Sequence, residues 1–143
     1  MAYVRVMIHA VWGTKNHVPY LTPDTKKIVI DHIKENARLK QIFIDTVNGH
    51  LDHLHCLIGL NADMSIAKTI NLLKGESAHW INKNGIVKKR FEWADEYFAV
   101  SVSESIVPRV RRYILNQEQH HRKVSFSQEY NEFFTRYRFR IHD

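Results

Sequence analysis

The chain has 143 residues and 44% hydrophobic content, enough for a single domain with its own core. Its formal charge of +6 and pI of about 9.5 favour a polyanionic partner such as nucleic acid. The single Cys56 excludes an internal disulfide and fits a reducing cytoplasm, while the apolar run at 3–12 is too short, and too interrupted by Arg5 and His9, for a signal peptide or a membrane span.

Residues 3–12 are rich in β-branched and aromatic types and predict a strand. Val4, Val6, Ile8 and Ala10 share one face of it; Tyr3, Arg5, Met7 and His9 share the other. Thr22-Pro23-Asp24 predicts a helix start, with Val29, Ile33 and Ala37 on the inner stripe up to about Leu39. A second strand is expected over 41–47, with Asn48-Gly49 as a hairpin turn, and a third over 53–60. Ser65 caps a second helix that ends at Asn84-Gly85 and carries Lys68 and Lys74 on its outer face. A fourth strand is expected over 96–103 and a third helix over 108–121. His50 reads as loop. Phe126, Tyr130, Phe133, Phe134 and Tyr137 then recur at helical spacing, as a packed tail with Arg136, Arg138 and Arg140 on its wet side.

The order β-α-β-β-α-β plus C-terminal helices predicts an α+β, ferredoxin-like fold: a split βαβ antiparallel sheet forming one domain over 1–143. Two helices cover one sheet face and leave the other open for function. The fold does not name an activity.

On a strand, His53 and His55 point to the same face, and Leu54, Cys56 and Ile58 point into the core. Two imidazoles side by side can bind a metal ion; they also suit a hydrogen-bonded pair. On the third helix, Tyr113 and Gln117 stand at i and i+4 and share a face, with His120 and His121 one turn on. A phenol can be a covalent nucleophile, and a Gln carbonyl oxygen can be a third, hard metal ligand. The plainer alternative makes Tyr113 a core aromatic and Gln117 a solvated residue. His9 and Asn48 are candidates to line the same face.

In this order, these blocks resemble the single-tyrosine HUH transposases of the insertion-sequence 200/605 group. His53-Leu54-His55 matches the His-hydrophobe-His motif. Trp12-Gly13-Thr14-Lys15, the Ser65…Leu73-Lys74-Gly75 helix, Trp93…Glu96-Tyr97-Phe98 and Tyr113-Ile114-x-Asn116-Gln117 also match, so the likeness covers most of the chain. The chain departs from the pattern at Leu51, where a Pro is usual, and at Asn16-His17, where a basic residue is common.

The resemblance implies a metal-dependent enzyme acting on hairpin-containing single-stranded DNA. Tyr113 would attack a phosphodiester, form a 5′-phosphotyrosine intermediate and allow rejoining. His53, His55 and Gln117 would hold Mg²⁺, with Mn²⁺ able to substitute. One tyrosine per site and two ends to cut imply a homodimer. The family joins sheets to dimerise, with the tyrosine helix of one subunit serving the histidines of the other. Lys15, Lys68, Lys74, Lys88, Lys89, Arg90, Arg111, Arg112 and Arg122 are candidates for phosphate contact. A cytoplasmic protein without a membrane partner is expected. Two rival readings are a domesticated nuclease that nicks repeated hairpins, and a non-enzymatic nucleic-acid-binding module of the same layout. The module would carry base-stacking aromatics where His53 and His55 stand.

Overall fold

A computed structural model describes residues 1–140, so the last three positions of the expected domain lie outside the described residues. Four strands, β1 (Met7–Gly13), β2 (Phe43–His50), β3 (His53–Gly59) and β4 (Phe98–Val102), form one antiparallel sheet in the order β2-β3-β1-β4. Helix α1 (Pro23–Leu39) joins β1 to β2, and α2 (Ile66–Lys83) joins β3 to β4. This is the ferredoxin-like βαββαβ arrangement. Helices α3 (Val107–Leu115), α4 (Gln117–His120) and α5 (Phe126–Arg136) follow. No helix among the described residues is long and apolar enough to cross a membrane.

Alternation along the central strands builds the main core. Ile8, Ala10 and Trp12 of β1 and Leu54, Cys56 and Ile58 of β3 pack against Val29 and Ile33 of α1 and Ile70, Leu73 and Ile81 of α2. The opposite face is covered as well, where an open one was expected. Met7 and Leu57 pack there with Val107 and Ile114 of α3. Helix α3 is tied to β2 by Arg111, whose guanidinium meets both Asp45 carboxylate oxygens at 2.7 Å. Asp45 is free to do so because the β2–β3 register shifts between Ile44 and Thr46. Such an irregularity turns a side chain out of the ladder.

Two local expectations need correction. Asn48-Gly49 is not the hairpin turn: β2 runs through it to His50, and Leu51-Asp52 make the turn. Glycine is required at 49 because the strands approach closely; a Cβ there would lie 2.0 Å from the His53 carbonyl oxygen. His50 is accordingly the last strand residue rather than loop. The helix expected over 108–121 breaks at Asn116, whose φ of −94° and ψ of 21° leave the helical region, dividing α3 from α4. The first strand also starts later than expected, at Met7.

Gly49→Ala should destabilise the fold by at least ~2 kcal/mol in urea denaturation, as a forced overpacking does. A wild-type midpoint would contradict the close β2–β3 approach.

Candidate metal and tyrosine site

Strand β3 delivers His53 and His55 to one face, both with 0% exposure. His53 lies opposite Gly13 of β1 and His50 of β2. Phe126 of α5 stacks flat on the His53 ring, centroids 4.1 Å apart and 2° from parallel. Gly13 makes room for it, since a Cβ there would come within 2.6 Å of the Phe126 ring.

The other ring nitrogens orient the imidazoles. Asp52 Oδ1 lies 2.9 Å from His53 Nδ1, and the Val124 carbonyl lies 2.6 Å from His121 Nδ1. Both partners are acceptors, so they orient each ring through its Nδ1 and leave each Nε2 facing the cluster. His55 Nδ1 pairs with His9 Nε2 at 2.8 Å. Burial, with His55 beside it, pushes His9 down to about 3. Burial also lowers His55 to about 4, against the pull of Glu129. At neutral pH this pair is uncharged.

Gln117 is fully buried, 64 residues from His53 in sequence. Its Nε2 donates to the Tyr113 carbonyl at 3.3 Å, which aims Oε1 at His53 Nε2 (3.1 Å) and His121 Nε2 (3.0 Å). Glu129 of α5 completes the cluster. Its Oε1 lies 2.8 Å from His55 Nε2 and 3.5 Å from His53 Nε2. Its Oε2 accepts the Tyr113 hydroxyl and lies 3.4 Å from His121 Nε2. His120 Nε2 comes within 2.8 Å of the same oxygen but out of line for a hydrogen bond. Burial alone would raise the Glu129 carboxyl; the imidazoles of His121 and His55 and the Tyr113 hydroxyl outweigh it and hold the group well below the usual carboxylate range. Burial and the Glu129 charge together raise the Tyr113 hydroxyl.

The chemistry of this donor set fits a divalent cation. Lone pairs of imidazole nitrogen, amide oxygen and carboxylate converge. Ligand atoms of His53, His55, His121 and Glu129 all lie within 4.8 Å of one another. Donors about 2.1 Å from an ion stand about 3.0 Å apart at right angles and about 3.4 Å apart in a tetrahedron. The nitrogen–oxygen separations across the cluster, from 2.8 to 3.5 Å, match that spacing.

The structure thus brings together His53, His55, Tyr113 and Gln117, all within one chain. The sequence reading did not single out Glu129 as a site residue. A signal was present: an acid three residues after Phe126 and four before Phe133, on the inner stripe of an aromatic helix. His9 does reach the site, and His50 stacks on His121 at 5.3 Å.

The expected DNA-contacting residues divide. Lys88, Lys89, Arg90 and Arg112 are exposed. Lys15 is exposed beside Glu92 at 3.4 Å. Arg111 is engaged by Asp45. Lys74, expected on an outer face, is buried, and its ammonium donates to the carbonyls of Ala94 (2.6 Å), Asp95 (3.2 Å) and Glu96 (3.4 Å).

A sheet of this topology with a His-hydrophobe-His strand facing a tyrosine defines the ferredoxin-like HUH class. The sequence profile of the family described as "Transposase IS200 like" matches residues 2–117. The chain belongs to that family. A candidate transposase of Deinococcus radiodurans R1 has a similar structure, at TM-score 0.65 and 24% identity, covering 82% of this chain and 95% of that one. So has a REP-associated tyrosine transposase solved bound to a REP hairpin, at TM-score 0.64 and 14% identity, covering 85% of this chain and 72% of that one. No curated protein matches the sequence.

The buried neutral pair predicts a pH dependence. An imidazole that titrates near 6.5 unfolded and near 3 or 4 folded binds more protons when unfolded, so its contribution to stability is full above pH 6.5 and falls as pH drops towards the folded value. In protein kept free of metal by chelator, the unfolding free energy from urea titrations should fall between pH 7 and pH 5, by up to ~1.4 kcal/mol per pH unit per imidazole. His9→Gln should flatten that slope. An equal slope in the variant would mean that His9 is protonated in the fold.

Proposed function

We propose that this protein is a metal-dependent transposase that cleaves and rejoins hairpin-containing single-stranded DNA, with Tyr113 as its nucleophile. The observation that carries this reading is the meeting of the Tyr113 hydroxyl with the convergent His53, His55 and Gln117 donors, His55 and Tyr113 having ring centroids 5.4 Å apart. Family membership and the hairpin-bound neighbour support the choice of substrate.

Tyr113 Oη gives up its proton and bonds to phosphorus, the bond to the 3′ oxygen breaks, and that oxygen takes up a proton, so the strand leaves with a 3′-hydroxyl. The phosphate stays as a 5′-phosphotyrosine ester. Its bond energy is retained, so a later 3′-hydroxyl reverses the step and joins ends. His53, His55 and Gln117 would hold a divalent ion, which when bound would polarise the scissile phosphate and stabilise the leaving oxygen. Mg²⁺ is the physiological ion in this reading, with Mn²⁺ able to substitute. Asp52 holds the His53 ring in the ligating tautomer, and Arg111 on Asp45 fixes the tyrosine helix to the sheet.

Lys15, Lys88, Lys89, Arg90 and Arg112 carry the DNA backbone. A cleft of about 290 Å³ beside the site, lined by Lys15, His17, Phe126 and Tyr130 among others, offers charge and aromatic rings to an unpaired strand. Lys74 and Arg111 act on the DNA indirectly, Lys74 through the 94–96 loop and Arg111 through α3. Excision cuts two ends and each chain offers one nucleophilic tyrosine, Tyr113, so the working form is a homodimer. The whole chain serves as one cytoplasmic transposase domain.

With Mg²⁺ and labelled single-stranded DNA carrying the hairpins that flank its reading frame, the protein should form a covalent adduct on a denaturing gel. The adduct should vanish with chelator and in Tyr113→Phe, and fall by at least ~100-fold in His55→Ala. An adduct that persists in Tyr113→Phe would remove Tyr113 as nucleophile. Gln117→Ala should raise the Mg²⁺ needed for half-maximal adduct; an unchanged titration would take Gln117 out of the ligand set.

A further inference from the structure

Helix α5 lies beyond residues 2–117, the stretch that the family profile matches. It nevertheless places two buried side chains, Phe126 and Glu129, against the histidines. Glu129 is 1% exposed, 74 residues from His55 in sequence and 2.8 Å from its Nε2. Phe126, one turn earlier, lies flat on His53. His53 and His55 have no exposed surface, so a phosphodiester cannot reach them while α5 is seated.

The donor count makes the same point. His53, His55, His121, Gln117 and Glu129 together offer five ligand atoms, close to the six that fill an octahedral shell. A site of that kind is nearly closed, whereas a catalytic ion must keep positions open for its substrate. Glu129 is the anionic donor among them. A carboxylate oxygen and a phosphodiester oxygen each bring one negative charge, so exchanging one for the other leaves the charge of the site unchanged.

We propose that Glu129 is a metal ligand in the DNA-free protein and that the scissile phosphate replaces it when DNA binds. In this exchange one carboxylate oxygen leaves, one phosphate oxygen enters, and no proton moves. The same withdrawal releases the Tyr113 hydroxyl from Glu129 Oε2, which couples substrate entry to freeing of the nucleophile. The inference rests on the metal-site reading above. It adds a carboxylate from α5 to the ligand set and makes that helix a gate.

The test uses the full chain, stripped of metal and titrated with Mn²⁺ alone in a calorimeter. Glu129→Gln keeps the size of the side chain and removes its charge. It should bind Mn²⁺ at least about tenfold more weakly than wild type, and an affinity within about twofold of wild type overturns the proposal. Should this variant not fold, a second measurement decides. Tyr113→Phe protein loaded with Co²⁺ is mixed with saturating hairpin DNA, and the visible Co²⁺ bands should shift as phosphate replaces carboxylate. Unchanged bands overturn the exchange. Neither readout uses DNA cleavage. Mn²⁺ binding that depends on Glu129, in a protein that forms no tyrosine adduct, would sustain the ligand and reject the transposase chemistry.

Discussion

A strand that is buried on both faces governs the rest of this structure. His53, Leu54, His55 and Cys56 are consecutive, and all four have no exposed surface. Parity alone separates them: Leu54 and Cys56 enter the apolar core under α1 and α2, while the two imidazoles face α3, α4 and α5. A shift of one residue in the β1–β3 register would exchange the two sets. It would bury both histidines in hydrocarbon and leave the tyrosine facing Leu54 and Cys56. The register is held from both sides, because β3 is flanked by β1 and β2.

The histidine face is polar yet almost dry, and that combination is costly without compensation. Here the compensation is a connected network. Asp52 and the Val124 carbonyl orient two rings, His9 pairs with the third, and Glu129 accepts from Tyr113. The network joins β1, β3, α3, α4 and α5. Electrostatics, as much as apolar packing, therefore determines where the last three helices sit. Arg111 and Asp45 add a second anchor outside it, at the irregularity of β2.

The C-terminal helix lies outside the stretch that the family profile matches, yet it covers the site. The family profile ends at Gln117, the last of the ligands expected from the sequence. Helix α5 then returns over the site with Phe126, Glu129 and Phe133 directed at the two histidines and His9. Its start is well specified by a capping box in which Ser125 and Gln128 each bond the other's backbone. The cap, one residue before Phe126, satisfies the first backbone N–H groups of the helix and fixes where it begins.

The fold class, the order of elements and the pairing of His53 with His55 were determined by the sequence alone, because each depends on short-range periodicity. The i, i+4 spacing of Tyr113 and Gln117 was equally visible, and the bond that the Gln117 side chain donates to the Tyr113 backbone carbonyl spans the break at Asn116. Only the tertiary structure decided what covers the histidines. Glu129 reads locally as one acid in an aromatic helix, and nothing in its neighbourhood indicates that the helix folds back 74 residues to His55. Asn48-Gly49 illustrates the same limit: a pair that suits a turn lies within a strand, because the His53 carbonyl of the partner strand requires a residue without a Cβ there. Lys74 does so again, since a helical lysine is drawn into the protein only when a loop from elsewhere presents three carbonyls to it. Periodicity fixes which face of an element a residue occupies; long-range packing fixes what that face meets.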